Sequence, residues 1–191
     1  RILLSVAAVA AFFGGCLANL NSAERFDHEV RNDFFAGFAG NAEALERGIK
    51  KSEAVLAADP KHAEAMVWLG TGIFYQSGIA FRNGDQAKGM ELYGKSIELM
   101  KKAVSLDPQN IGVRIPRGAV LLSAARQMPP PLAAPLQDDG LSDYLTAYEL
   151  QKNMLQEMST HARGELLLGI ADTYSRKGDN AKAEEFFTMV K

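Results

Sequence analysis

Three arginines are the side chains of this sequence best suited to hold an anionic ligand. Residues 112–118 (GVRIPRG) lead into a predicted helix, and Arg126 lies near the other end of that helix. Because a helix N-terminus presents free backbone N–H groups, Arg114 and Arg117 beside it could hold a carboxylate or a phosphate. Arg126 would extend this basic stripe. The alternative is that all three arginines pair with acidic side chains of neighbouring helices.

Two aromatic residues are further candidates for partner contacts. Trp68 and Tyr75 stand seven residues apart, which places them on one face of a helix. On that face they could line a binding groove. The same spacing is typical of a helix face that packs into the core, so both interpretations stay open.

The residues that usually perform catalysis or bind metals are not arranged for either. The three histidines, His28, His62 and His161, are far apart and form no His-x-x-x-His pair, and the single cysteine excludes cysteine-rich zinc sites. No Gly-rich phosphate loop or nucleophile elbow occurs. The sequence therefore predicts no enzyme, no metal site and no cofactor. Its net charge of -2 argues against nucleic acid as a partner.

The first twenty residues are predicted to be a signal peptide. No charged residue occurs between Ile2 and Leu20, and residues 2–13 have the length and composition of a signal-peptide apolar region. Residues 13–16 (FGGC) resemble a bacterial lipobox, which implies that Cys16 carries lipid and anchors the chain to a membrane. Since there is no initiator Met, we expect the sequence to begin inside the signal.

Three other interpretations of this segment remain. It just reaches the length of a transmembrane anchor. Cleavage after Ala18 would release a periplasmic protein without lipid, and a buried helix would make Cys16 an ordinary core thiol. The signal and its lone cysteine favour export, so the predicted location is periplasmic or attached to the outer membrane as a lipoprotein.

Residues 21–191 are predicted to form one helical repeat domain. Good helix formers dominate, and no sustained apolar/polar alternation predicts strands. Helix breakers recur at regular intervals: Asp59-Pro60 and Asp107-Pro108 lie 48 residues apart, and Gly84-Asp85 and Gly178-Asp179 lie 94 apart. A period near 47 predicts an all-α solenoid of antiparallel helical hairpins.

Residues 60–73 and 167–190 resemble the tetratricopeptide (TPR) repeat family. After Pro60 come Ala63-Glu64-Ala65, Leu69-Gly70 and Ile73, which resemble the first helix of a TPR unit. In the second segment small residues allow close helix packing, and Tyr174 and Phe187 fill the gaps beside them. A TPR unit has 34 residues and this one about 48, so each helix is predicted to be lengthened by two turns, to about 30 Å.

The positions of the helix breakers predict four hairpins. In this arrangement all prolines lie outside helix interiors, and Pro116 lies in the first turn of its helix. The third lacks a Gly-Asp turn, and its Pro-rich segment 128–140 predicts a long connecting loop. This loop would act as a flap over the groove or dock to a partner, or it would be a tolerated insertion whose Leu132 and Leu136 pack on the next repeat. The predicted hairpins are 23–39 with 41–58, 62–82 with 85–106, 116–127 with 141–158, and 160–177 with 180–191.

The resemblance implies a non-catalytic binding module that docks a protein or peptide partner on its concave face. In that family the first helix of each unit lines the concave face, so the partner-binding candidates are Trp68, Tyr75, Arg114, Arg117 and Arg126. An alternative is a small-ligand or transporter-associated lipoprotein similar in layout to the T-component of TRAP transporters. An enclosed apolar cavity would favour this alternative, and an open groove would favour peptide or protein recognition.

Overall fold

The computed structural model describes residues 25–190, so the predicted signal peptide and Cys16 lie outside the described residues. Between these bounds the chain forms eight α-helices and one short 3-10 turn, Lys152–Met154, and no strand. The all-α prediction is confirmed. The helices are α1 Asp27–Phe38, α2 Ala42–Ala58, α3 Ala63–Arg82, α4 Gln86–Leu106, α5 Ile111–Ala125, α6 Pro130–Gln151, α7 Thr160–Arg176 and α8 Asn180–Met189.

The Gly-Asp dipeptides end one helix and begin the next. Gly84 and Gly178 both have φ +82°, a left-handed conformation that glycine adopts without a steric penalty. The aspartates that follow, Asp85 and Asp179, accept hydrogen bonds from the backbone N–H groups of Lys88 and Lys182 and so cap α4 and α8. The sequence spacing thus predicted these tight antiparallel turns correctly.

Consecutive helices pair into four antiparallel hairpins, and the hairpins stack side by side. The first helices, α1, α3, α5 and α7, also contact one another from hairpin to hairpin. Each second helix contacts its own partner, and α2, α4 and α6 also contact the first helix of the next hairpin. The first helices therefore form a continuous inner layer, and the second helices form a more widely spaced outer one. This is the architecture of a TPR-like helical solenoid.

The predicted lengthening is present in the second hairpin. Its helices α3 and α4 contain 20 and 21 residues, which corresponds to about 30 Å each. The first helices of the neighbouring hairpins are shorter, with 12 residues in α1 and 15 in α5. The array therefore has arms of unequal length.

Small residues on first helices allow a large side chain of the outer layer to enter between hairpins. Tyr144 of α6 is almost fully buried between α5 and α7. A Cβ atom on Gly118 would lie 2.5 Å from its ring, and one on Gly169 would lie 2.3 Å from it. The two glycines thus create the space for this ring, which joins the third hairpin to the fourth. In the fourth hairpin Phe186 is buried and stacks on Tyr174, whereas the predicted gap filler, Phe187, is exposed.

The prediction of a long loop over residues 128–140 is wrong. Helix α6 begins at Pro130, so the connection from α5 is short. Pro130 and Pro131 stand in the first turn, where a missing N–H leaves no hydrogen bond unmade. Pro135 lies inside the helix and removes one internal hydrogen bond. Leu136 is buried against the core and stabilises this turn, while Leu132 is exposed.

The prediction for the start of α5 is also wrong. The helix begins at Ile111, because the side chain of Asn110 accepts a hydrogen bond from the N–H of Gly112 at 2.7 Å and caps it. Pro116 is therefore inside the helix, against the expectation that all prolines lie outside helix interiors. As a result, Arg114 and Arg117 are carried on the helix itself and do not flank its N-terminus.

Candidate partner-binding groove

A groove on the inner layer is the candidate site, because it is largely apolar and is lined by side chains of two first helices. It lies between α3 and α5, is bordered by the end of α1, and has a volume of about 430 Å³. It is partly open to solvent along the inner side. The side chains that line it are mostly aromatic or aliphatic, with a few polar groups at the rim: Phe38, Thr71, Phe74, Tyr75, Arg82, Val120, Ser123, Ala124, Gln127 and Met128, together with Gly78. We call it the α3–α5 groove.

Tyr75 forms one wall of the groove and is held there by two contacts with α1. Its hydroxyl donates a hydrogen bond to the carbonyl oxygen of Phe38 at 3.1 Å. The rings of the same two residues lie 5.1 Å apart. This pairing fixes the ring orientation, so the aromatic wall is formed before any ligand arrives. Of the two interpretations of Tyr75, the structure places it at a groove, and its part in binding stays a prediction.

Trp68 is more deeply buried than Tyr75, the other aromatic candidate on this helix face. It is 5% exposed, and its ring stacks on Phe34 with a centroid distance of 5.2 Å. Its indole N–H has no hydrogen-bond partner among the described residues. Of the two interpretations of this residue, the structure supports the core.

Arg82 stands at the rim of the α3–α5 groove, at the end of α3. Its guanidinium carbon lies 5.9 Å from the centre of the Tyr75 ring, which is the geometry of a cation–π contact. Within residues 25–190 it forms no ion pair or hydrogen bond with another side chain. Among the described residues that line the groove, the one charged side chain is therefore a cation with free N–H donors.

Arg114 and Arg117 are joined to a buried carboxylate, as the alternative interpretation anticipated. Asp143 of α6 is fully buried. Arg117 donates to it through Nε at 2.5 Å and Nη2 at 2.9 Å, and Arg114 donates through Nη1 at 2.7 Å. Burial raises the pKa of Asp143, and the two guanidinium groups oppose this shift. This cluster ties α5 to α6 and leaves these arginines few donors for a ligand.

Arg126 lies in a second depression of the inner layer, between α5 and α7. This depression has a volume of about 400 Å³ and includes the exposed side chains of Leu168 and Phe187. Arg126 and Arg176 both donate to Oδ2 of Asp172. Partial burial favours the neutral carboxyl, but the two arginines outweigh it and hold the pKa of Asp172 below its usual value.

The geometry adds two groove residues that the sequence reasoning did not select, Phe38 and Arg82. It also adds Arg176, which pairs with Asp172 beside the second depression. A signal for the two arginines exists, because each is the last residue of a first helix and stands two residues before the glycine of a Gly-Asp turn. The contribution of Phe38 has no such signal, since only the packing of α1 on α3 turns its ring toward Tyr75.

Other features of the described residues are less suited to a ligand. A shallower depression of about 560 Å³ runs along α6 in the outer layer. No group of His, Cys, Asp or Glu side chains between residues 25 and 190 could hold a metal ion. No helix in this range is long and apolar enough to cross a membrane.

Comparison with known proteins identifies one repeat by sequence. Residues 164–188 match the family model of the tetratricopeptide repeat, which covers most of α7 and α8. No curated protein matches the chain. Two solved structures are similar over 77% of this chain at 15% identity: a monomeric IFIT1 mutant with Gppp-AAAA, with a TM-score of 0.40, and the human IFIT1 dimer with PPP-AAAA, with a TM-score of 0.39. This chain covers 46% of the length of each. TPR-type repeats are typical of non-catalytic protein-interaction scaffolds.

Proposed function

We propose that this TPR-like chain is a non-catalytic scaffold that holds a segment of a partner protein in the α3–α5 groove. The observation that carries the proposal is the groove itself: an apolar, partly open concavity in a layer of first helices. Its wall is preformed by the Phe38–Tyr75 pair. A binding surface that is ordered in advance loses less conformational entropy when its partner docks.

The shape favours a peptide segment over an enclosed small ligand. A volume near 430 Å³ accommodates one or two bulky side chains and lies within the range of ligand pockets. The groove is partly open to solvent, so a side chain of a longer segment can reach it. The transporter-associated alternative requires an enclosed cavity, and the partly open groove gives it no specific support.

A second part of the proposal concerns location. We infer from the sequence that residues 1–20 direct export and that Cys16 attaches the domain to a membrane through lipid. The groove would then act in the periplasm or at the outer membrane. This part stands on the composition of the first twenty residues alone.

Blocking the groove without disturbing the core tests the binding proposal. Ser123 is exposed and lines the groove, so Ser123→Trp fills it from the solvent side. Ser105 is an exposed serine on α4 in the outer layer, and Ser105→Trp is the matched control. Proteins cross-linked to the tagged 191-residue chain in its native membranes are compared for the two variants.

We expect a captured protein to be retained by Ser105→Trp and lost with Ser123→Trp. Thermal unfolding of both variants by circular dichroism verifies that they remain folded. Equal capture by the two variants would contradict a role of the α3–α5 groove in binding.

A further inference from the structure

Three successive first helices end in an arginine at the same edge of the inner layer. Arg82 is the last residue of α3, Arg126 directly follows α5, and Arg176 is the last residue of α7. Because these helices run in the same direction and contact their neighbours, their C-terminal ends lie side by side. Packed helices are about 9 Å apart, so the three residues form a row about 20 Å long. We call it the arginine row.

The charges of the row are only partly compensated. Arg126 and Arg176 share a single carboxylate oxygen, Oδ2 of Asp172, and Arg176 makes only this one hydrogen bond within the described residues. Arg82 has no carboxylate within ion-pair distance in that part of the chain. Within residues 25–190 the three guanidinium groups thus form ion pairs with a single carboxylate.

Other charges at this edge are already engaged. Asp85 and Asp179 accept backbone hydrogen bonds as the N-caps of α4 and α8. Glu165 accepts a hydrogen bond from the hydroxyl of Tyr144. Lys177 is paired with Asp138. None of these carboxylates forms an ion pair with an arginine of the row among the described residues, so the guanidinium groups keep N–H donors for a ligand.

The row borders the apolar α3–α5 groove at Arg82. A ligand that enters the groove with an apolar side chain consequently has guanidinium donors beside it and farther along the edge. Guanidinium groups bind carboxylates with strong, often bidentate, hydrogen bonds. A stretch of about six residues in extended conformation spans the 20 Å of the row.

We propose that the partner segment is acidic and extended, with one bulky apolar side chain in the α3–α5 groove and carboxylate side chains on the arginine row. This inference rests on the proposed function, since it assigns a chemistry to the segment that the groove holds. It also assigns a binding role to Arg82 and Arg176 and retains Arg126 from the sequence candidates.

Selection from a random twelve-residue peptide library displayed on phage, with the 191-residue chain as target, tests this chemistry. We expect the enriched peptides to combine acidic residues with one aromatic or large aliphatic residue. Dissociation constants are then measured by fluorescence anisotropy with synthetic peptides amidated at the C-terminus, which removes the terminal carboxylate as a source of charge.

The variants Arg82→Gln and Arg176→Gln should each weaken binding two- to fivefold, as expected for exposed charge pairs. Together they should weaken it about tenfold, and Lys101→Gln, which removes an exposed cation of the outer helix α4, should leave it unchanged. Raising the salt concentration should weaken binding of the original chain more than that of the double variant. Both replaced arginines are exposed, so we expect unfolding temperatures to stay within a few degrees.

The possible failures of the two proposals differ. The acidic partner is overturned, and the groove proposal kept, if the enriched peptides lose binding to Ser123→Trp but are neutral or basic. The same conclusion follows if these peptides bind equally well to the arginine variants. If no enriched peptide loses binding to Ser123→Trp, the groove proposal is itself overturned.

Discussion

The buried cluster of Asp143 with Arg117 and Arg114 gives a direct test of what these arginines do. Replacing Arg117 with Met keeps most of the side-chain volume and removes two of the three hydrogen bonds to Asp143. Asp143 is then a fully buried carboxylate with a single guanidinium partner. We therefore expect Arg117→Met to destabilise the fold substantially.

The magnitude follows from the burial of the pair. Removing one partner of a buried ion pair typically costs about 3–5 kcal/mol, and the remaining Arg114 contact places this variant near about 3 kcal/mol. For a chain of this size that corresponds to a decrease in unfolding temperature of about 6–12 °C. The double variant Arg117→Met with Asp143→Leu should recover more than half of the loss, because it removes the buried charge as well.

Urea and thermal unfolding followed by circular dichroism at 222 nm measure these values. Arg47→Met is the matched control, since Arg47 pairs with Asp33 at the surface and is expected to contribute at most about 1 kcal/mol. A loss below about 1 kcal/mol for Arg117→Met would refute the structural role of Arg117. A stable Arg117→Met variant that fails to bind an identified partner would instead restore this residue as a ligand contact.

Three further predictions address the packing, the electrostatics and the N-terminus. Gly169→Ala places a methyl group against the buried Tyr144 ring and should cost about 1–3 kcal/mol in urea unfolding; an unchanged midpoint would contradict the tight packing of that ring between α5 and α7. The pKa of Asp172 is lowered in the folded state, so its contribution to stability is present above the unfolded pKa and is lost as the pH falls through the folded pKa. Between about pH 5 and pH 2 the free energy of unfolding of Asp172→Asn should therefore decrease by about 0.5–1 kcal/mol less than that of the original chain. An equal decrease in both proteins would argue against the Arg126–Asp172–Arg176 contacts. Metabolic labelling with a fatty acid should mark the original chain and not Cys16→Ser, and absence of label from the original chain would exclude the lipid anchor.

The order of elements was predictable because turns are local. A glycine in the left-handed conformation followed by an aspartate cap depends on two adjacent residues, and the 94-residue spacing of Gly84-Asp85 and Gly178-Asp179 identified the hairpin turns. Proline was the less dependable signal. Pro116 and Pro135 lie inside helices, because packing of α5 and α6 on each other and on the core offsets the hydrogen bond that each one removes.

The candidate site was predictable only in part. Tyr75 lines the groove and Arg126 lies in the inner layer, as the sequence indicated. Arg114 and Arg117, which the sequence presented as ligand contacts or as ion-pair partners, are paired with a carboxylate 29 and 26 residues away. No sequence pattern links Asp143 to them, because the pairing depends on how α6 lies against α5.

The amino-acid sequence by itself thus determined the all-α hairpin architecture and the Gly-Asp turns, since these turns depend on residues close together along the chain. It did not determine the bounds of α5 and α6 in the third hairpin. Only the tertiary structure decided which side chains face the groove and which cations keep open donors. An arginine at the end of a helix has the same local sequence whether it meets a carboxylate or solvent. The stacking of the first helices makes that difference between Arg126, which meets Asp172 of α7, and Arg82, at the rim of the α3–α5 groove.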